Sequence, residues 1–158
     1  MTQHAHTNTP HPYSGTATIP PGLDYKTFGD VHRLMCLKCA KVTGFSSCLA
    51  LCLPEVAARL EESDFGILHL EVGALRLATR DAIARRDWYN VGRYFSFVAD
   101  VLESAGAELA DAIKISYLGN LLSGEPALNF TKARSLLPRP LLIELAEVER
   151  HYETMRPS

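Results

Sequence analysis

The chain has 158 residues, of which 47% are hydrophobic and 22% are charged, close to the average of soluble globular proteins. Its 16 lysines and arginines against 18 aspartates and glutamates give a formal net charge of −2, which indicates neither nucleic acid nor anionic lipid as a partner. No apolar run approaches the roughly 20 residues that span a bilayer. These values exclude collagenous, coiled-coil, fully disordered and membrane-spanning proteins, and the length fits one domain.

The first third of the chain differs in composition from the rest. Residues 1–30 are rich in Thr, His, Pro, Gly and Ser, and such a segment buries too little apolar surface to offset the entropy of ordering it. Residues 1–52 carry four basic and two acidic residues, whereas residues 53–158 carry twelve and sixteen. We therefore expect a disordered or weakly structured leader over residues 1–52, containing all four cysteines, and a helical domain over residues 53–158.

From Pro54 onward the apolar residues follow a helical period, and no segment alternates as a half-buried strand does. Asp87 is a good N-cap, and Gly106 is a good helix stop. The predicted helices span residues 54–60, 65–86, 88–104, 108–122, 130–137 and 138–152. Because the connections are short, neighbouring helices are expected to be antiparallel. The predicted fold is all-α, a single bundle of about five to six helices built from antiparallel hairpins.

Two of these helices have apolar residues on more than one side. The helix over 65–86 carries a main apolar stripe, with Leu70 and Leu77 on the opposite side beside Gly73 and Ala74. This pattern predicts packing on both faces. The helix over 108–122 is apolar nearly all round, which predicts a position in the middle of the bundle.

The four cysteines, Cys36, Cys39, Cys48 and Cys52, lie close together in sequence. Four thiolates at short spacing suit tetrahedral zinc, and the first pair has the spacing of a zinc knuckle. The second pair is separated by three apolar residues and fits the knuckle pattern less well. Three interpretations therefore stay open: a zinc site, cysteines that hold no metal in a chain without a cofactor, and disulfides, which are the least expected because nothing else in the sequence indicates secretion.

Met35 offers an alternative start of translation, which would make residues 1–34 an upstream artefact. Residues 42–53 would then loosely imitate a signal sequence ending at a lipid-modified Cys52. The apolar core of that segment is short and is broken by Ser46 and Ser47, so the pattern of a signal sequence is incomplete.

The sequence contains no recognisable catalytic motif. It has no Gly-rich phosphate loop, no dinucleotide fingerprint and no nucleophile elbow. His69 and His151 are the only histidines of the predicted domain, and neither belongs to a visible set of nucleophile, base and orienting group. We therefore expect a protein that is not an enzyme, with a carboxylate-only active site as the alternative.

One row of side chains on the helix over 88–104 is a candidate partner surface. Tyr89, Arg93 and Phe97 follow at i, i+4 and i+8, displaced from the core stripe, and Asp100 lies beside them. Exposed aromatic and arginine side chains dominate the energetics of protein interfaces. The alternative is that the aromatic rings pack on a neighbouring helix and Arg93 lies over them. The acidic excess of the domain suits a partner with a basic surface.

Parts of residues 53–152 resemble a family of small bacterial helical proteins of unknown function, similar to immunity-like proteins of polymorphic toxin systems. The resemblance lies in the order of four strings, Leu53-Pro54-Glu55-Val56, then residues 94–103 (YFSFVADVLE), residues 111–122 (DAIKISYLGNLL) and Leu137-Pro138-Arg139-Pro140-Leu141-Leu142. Such proteins typically have glutamate where Gly119 stands here, which puts a shared acidic contact in doubt. The resemblance implies a non-enzymatic protein that binds another protein.

Three functional hypotheses follow from the sequence. The first is a cytoplasmic, non-catalytic helical module that binds another protein, as an immunity-like protein occludes a toxin domain. The second is a regulatory or structural module whose N-terminal cysteines hold a metal ion. The third is an enzyme with an unrecognised carboxylate site.

Overall fold

The computed structural model describes residues 44–155, which form an all-helical domain without strands in that range. Its α-helices are α1 (Phe45–Cys52), α2 (Pro54–Ala57), α3 (Leu68–Ala84), α4 (Trp88–Ser104), α5 (Ala107–Ala112), α6 (Ala127–Leu136) and α7 (Arg139–Met155). A 3₁₀ turn, Glu62–Asp64, precedes α3, and α5 continues as a π-helical segment, Ile113–Tyr117, and a 3₁₀ turn, Leu118–Asn120. The all-α prediction is confirmed. No helix of this range combines the length and apolar character needed to cross a membrane.

Helix α1 belongs to the core of the domain, although we expected residues 45–52 to be part of the leader. Phe45, Cys48 and Leu49 are buried, and Leu53 continues the same apolar face. The average composition of residues 1–52 hid this short amphipathic helix, whose burial gains the usual hydrophobic stabilisation. The domain core therefore begins eight residues before Leu53. The prediction of a disordered leader over residues 1–43 lies outside the described residues.

Helices α3 and α4 form the predicted hairpin. The Asp87 carboxylate caps α4, accepting hydrogen bonds from the Asn90 backbone N–H at 3.2 Å and from the Asn90 side-chain amide at 2.7 Å. These hydrogen bonds hold the pKa of Asp87 below its ordinary value, because they favour the charged carboxylate. Helix α4 spans Trp88–Ser104, as the capping signals predicted.

The segment after α5 departs from the continuous helix predicted over residues 108–122. Its π-helical turns bury Tyr117 and expose Ile115. Tyr117 packs against α3, where its hydroxyl lies 3.0 Å from the Thr79 hydroxyl. A π-helical segment has a wider turn than an α-helix, so the side chains of this segment do not follow the α-helical period.

Helix α7 closes the domain by packing against α4 and against the π and 3₁₀ segments. Arg134 of α6 forms a bidentate pair with Glu149 of α7, at 2.7 and 3.1 Å. Lys114 of the π segment pairs with Glu144 of α7 at 2.9 Å, and this contact raises the pKa of Lys114. The ion pairs join elements at the rim of the domain, while apolar residues fill its centre.

Candidate functional site

The predicted partner row on α4 is only partly exposed. Tyr89 is 77% exposed, and the guanidinium carbon of Arg93 lies 6.0 Å from the centroid of its ring, within the range of a cation–π contact. Arg93 also donates a hydrogen bond to Asn90 at 2.6 Å and pairs with Glu55 of α2 at 3.0 Å. Tyr89 and Arg93 therefore form one small surface cluster at the N-terminal end of α4.

Phe97 and Asp100 do not extend that cluster. Phe97 is only 8% exposed, and its ring centroid lies 6.0 Å from that of Phe45. Because α1 covers this side of α4, the expected exposure of Phe97 is wrong and the alternative of packing on a neighbouring helix holds. Asp100 lies three turns beyond Tyr89 and lines a groove between α4 and α7. The structure therefore does not gather the four predicted residues on one surface.

The cysteine prediction falls partly outside the described residues. Cys48 and Cys52 lie at i and i+4 on α1, where Cys48 is fully buried in the apolar core and Cys52 packs against it. Cys36 and Cys39 lie outside the described residues. Within residues 44–155, no group of three or more His, Cys, Asp or Glu side chains is placed to hold a metal ion. Cys52 is disulfide-bonded, so disulfides, the least expected interpretation, do occur at this cysteine, and a cysteine in a disulfide is not a thiolate ligand. A zinc site that includes all four cysteines stays a prediction for the reduced chain.

An exposed apolar surface lies on the outer side of α3. Leu70 is 47% exposed and Leu77 is 53% exposed, with Gly73 and Ala74 between them and the 61% exposed Ile115 of the π segment beside them. We call these five residues the α3 outer face. The prediction that α3 is packed on both sides is wrong, because none of the described helices covers this side.

Hydrogen bonds at the edges of the α3 outer face fix its shape. His69 Nδ1 and Ser116 Oγ lie 2.7 Å apart and join α3 to the π segment. Arg80 donates to the backbone carbonyl of Asn120 at 2.6 Å. On the other side, Arg59 and Asp81 form an ion pair at 2.6 Å. The apolar residues are therefore held on a braced surface, which lowers the entropy lost when a partner binds.

The chemistry available at this surface is limited. The contact between Ser116 and His69 places a hydroxyl next to an imidazole, the pairing used by serine nucleophiles. Within the described range, no carboxylate forms a hydrogen bond with His69, so the third member of a catalytic triad is not seen there. The lining of the surface is mixed, because polar and charged residues lie beside the five residues of the α3 outer face, namely Arg59, Asp64, His69, Arg76, Ser116 and Asn120. A mixture of apolar and polar groups is typical of protein interfaces.

Sequence periodicity alone identified four residues of the α3 outer face, Leu70, Gly73, Ala74 and Leu77, but predicted that a neighbouring helix packs against them. The spacing of Leu70 and Leu77 marks an apolar stripe, and a stripe does not reveal whether a neighbouring helix or solvent lies opposite. The exposure of Ile115 had no signal in the sequence, because a π-helical segment cannot be recognised from the α-helical period.

Comparison with known proteins gives a family but no activity. Residues 47–153, from within α1 to within α7, match the family described as "Domain of unknown function (DUF7674)". Neither the curated proteins nor the solved structures contain a match to the chain. Since the family match covers more than half of the 158 residues, the chain belongs to the family of the domain of unknown function DUF7674.

Proposed function

We propose that the chain is a non-catalytic protein-binding module that receives its partner on the α3 outer face. The supporting observation is the exposure of Leu70, Leu77 and Ile115 next to one another on a braced surface. Exposed apolar side chains are ordinary when scattered, but a contiguous group rimmed by polar residues marks a binding surface. Burial of this group against a partner supplies the driving force for association.

The shape of the α3 outer face suits an apolar side chain of the partner. Leu70 and Leu77 are separated by two helical turns, and Gly73 and Ala74 leave a low floor between them. An inserted side chain would contact both leucines and the flank of Ile115. Well-packed anchors of this kind contribute most of the energy of an interface.

We further propose that the partner has a basic surface and that the module acts as an immunity-like protein, occluding a toxin domain in the cytoplasm. The acidic excess of residues 53–158, sixteen acidic against twelve basic residues, would steer such a partner and speed its association. The sequence strings that resemble immunity-like proteins support the same role. Tyr89 and Arg93 form a separate exposed cluster that can add contacts at the periphery.

The proposal is tested with the product of the gene beside this one, because an immunity protein is expected to lie next to its toxin. The full chain, the double variant Leu70→Glu/Leu77→Glu and the control Leu128→Glu are each titrated with that product by calorimetry. Leu128 is a matched control, since it is an exposed leucine on α6 and is not among the residues that line the α3 outer face. We expect the double variant to bind about 100-fold more weakly or worse, and the control to bind as the parent does.

Two results would contradict the proposal. Unchanged affinity of the double variant, with its helical content intact by circular dichroism, would remove the α3 outer face from the interface. Absence of binding by the parent chain at micromolar concentrations would remove the neighbouring product as partner and the immunity role with it.

The contact between His69 and Ser116 favours a second candidate, a hydrolase that uses Ser116 as nucleophile. The test is hydrolysis of an activated ester by the full chain and by Ser116→Ala. Turnover that disappears in Ser116→Ala but persists in Leu70→Glu would favour the hydrolase. No turnover above the buffer rate by the parent chain would exclude it for that substrate class.

A further inference from the structure

The guanidinium of Arg76, beside the α3 outer face, is not neutralised by any other residue of the described range. No hydrogen bond or ion pair connects Arg76 to another residue within 44–155, and its Nε–H is shielded from solvent. A shielded N–H that donates to nothing is costly, because it has given up water without gaining an acceptor. An acceptor that reached this N–H would recover that free energy.

Arg76 lies between two contacts that join α3 to the π segment and to the 3₁₀ turn after it. His69, seven residues before Arg76, and Arg80, four residues after it, share its side of the helix. His69 Nδ1 lies 2.7 Å from Ser116 Oγ, and Arg80 donates to the backbone carbonyl of Asn120 at 2.6 Å. These two contacts fix the walls on either side of Arg76.

The cavity that Arg76 lines has the size and the donors of a small-ligand site. Its volume is about 630 Å³, within the range of such sites. His69 and Ser116 also line it, and their contact uses only one of their two N–H and O–H donors. If the hydroxyl donates to Nδ1, the Nε2–H remains available, and if Nδ1–H donates, the hydroxyl hydrogen remains available. The pair therefore keeps one donor in either neutral tautomer.

The charges around the cavity favour an anion. Arg59 and Arg76 line it together with one carboxylate, that of Asp64. The Asp64 carboxylate accepts the Glu61 backbone N–H at 2.9 Å, and Arg59 is paired with Asp81 at 2.6 Å. Arg76 is therefore the charged side chain of this lining that has no counter-charge within the described range.

Apolar residues on the same cavity determine which kind of anion fits. Leu77 and Ile115 are more than half exposed and line the cavity with Arg76. Inorganic phosphate would leave both side chains in water, whereas an acid with an alkyl chain would cover them. A guanidinium also matches the two oxygens of a carboxylate in a bidentate contact.

We propose that this cavity binds a small carboxylic acid with an apolar chain. The carboxylate is held by Arg76, and the chain lies against Leu77 and Ile115. This inference does not depend on the proposed function, since binding of a free acid needs no protein partner.

Nuclear magnetic resonance titration of the ¹⁵N-labelled full chain at pH 7 tests the proposal. The probe is 4-methylpentanoate, and 4-methylpentanamide, which has the same shape without the charge, is the matched control. We expect the acid to bind with a Kd of about 1 mM, an ordinary affinity for a ligand of this size. The largest shifts should occur at the backbone amides of Gly73, Leu77 and Ser116. The amide should bind about tenfold more weakly or worse, and inorganic phosphate should bind more weakly than the acid.

Variants at Arg76 identify the group that recognises the carboxylate. Arg76→Gln removes the charge and should weaken binding of the acid about tenfold or more. Arg76→Lys keeps the charge but loses the planar fork, so its affinity should lie between those of the parent and Arg76→Gln. Arg150→Gln is the control, since Arg150 is an exposed arginine of α7 that does not line the cavity, and it should bind the acid as the parent does.

Four results would overturn the proposal. They are the absence of shifts around the cavity at about 20 mM acid, well above the expected Kd, equal affinities for the acid and the amide, tighter binding of phosphate than of the acid, and unchanged affinity of a folded Arg76→Gln. The comparison of the three probes uses the parent chain alone, so it remains decisive even if a variant does not fold.

Discussion

Thr79 and Tyr117 place two hydroxyl groups inside an otherwise apolar core. The Thr79 hydroxyl donates to the carbonyl of Leu75 at 2.8 Å, so the Tyr117 hydroxyl, 3.0 Å away, is the donor in the contact between the two side chains. Burial raises the pKa of the Tyr117 phenol, which therefore stays neutral. The pair satisfies every strong donor it contains, as buried polar groups require.

Removal of the Thr79 hydroxyl should destabilise the protein more than removal of the Tyr117 hydroxyl. Thr79→Val leaves the buried Tyr117 hydroxyl without an acceptor and should lower the free energy of unfolding by about 1–3 kcal/mol. Tyr117→Phe removes only one hydrogen bond, because Thr79 keeps its bond to Leu75, and should cost less, about 0.5–1.5 kcal/mol. The double variant should be about as stable as Tyr117→Phe alone. Urea unfolding measures the three values, and strictly additive costs would contradict this account.

Arg86 is the one non-glycine residue of the described range with a positive φ, 59°. It ends α3 in a Schellman motif, in which the Asp87 N–H donates to the Ala82 carbonyl at 2.8 Å and the Arg86 N–H donates to the Ile83 carbonyl at 3.0 Å. The left-handed conformation costs an L-residue roughly 1–2 kcal/mol, whereas glycine adopts it freely.

Arg86→Gly is therefore expected to stabilise the protein. The gain should be about 0.5–1 kcal/mol, because the greater entropy of glycine in the unfolded chain offsets part of the relieved strain. Arg85→Gly is the matched control, since Arg85 has φ −80° and ψ −3° and gains nothing from glycine. Thermal unfolding should show a rise in Tm for Arg86→Gly and no rise for Arg85→Gly. A fall in both variants would mean that Arg86 contributes more through its side chain than its conformation costs.

At the scale of elements, α1 reduces the solvent-exposed surface of α4. Phe45 covers Phe97, and Cys48 and Leu49 complete the contact with the core. Without α1, Phe97 would lose the aromatic ring that covers it. The sequence spacing correctly predicts that Tyr89, Arg93 and Phe97 form a row along α4. Helix α1, which we expected to be part of the leader, covers this row at Phe97.

Substitution of Phe45 measures the contribution of α1. Phe45→Ala should lower the free energy of unfolding by about 3–5 kcal/mol, because it removes a buried aromatic ring from the core. Leu51→Ala on the same helix should cost less than about 1 kcal/mol, since Leu51 is exposed. Urea unfolding of both variants gives the comparison. Similar small costs would show that α1 is not an integral part of the domain.

At the scale of the whole molecule, the sequence predicted what depends on local pattern. The all-α class followed from the helical period, and the bounds of α4 followed from the Asp87 cap and the break near Gly106. The buried stripe of α3 also followed from periodicity, and its central residues Val72, Leu75 and Ile83 are indeed in the core. These features are set by residues close together in the chain.

The features that were missed depend on contacts between distant segments. Whether Leu77 contacts a helix or solvent depends on the path of the whole chain. An apolar stripe on one helix gives no information about that path. The same holds for Phe97, whose cover is supplied by Phe45, 52 positions earlier. Candidate binding residues could therefore be named by type and spacing, but their exposure required the arrangement of α1, α3 and the π segment.

In the π segment, the number of residues affects the structure more than the identity of each residue does. Removal of one residue from Ile113–Tyr117 would allow a regular α-helix, and each residue of such a helix turns the next side chain by about 100°. Tyr117 would then leave its position beside Thr79, and Ile115 would no longer point outward. A single-codon deletion here would thus alter the core and the surface together, whereas many substitutions at the exposed Ile115 would alter the surface alone.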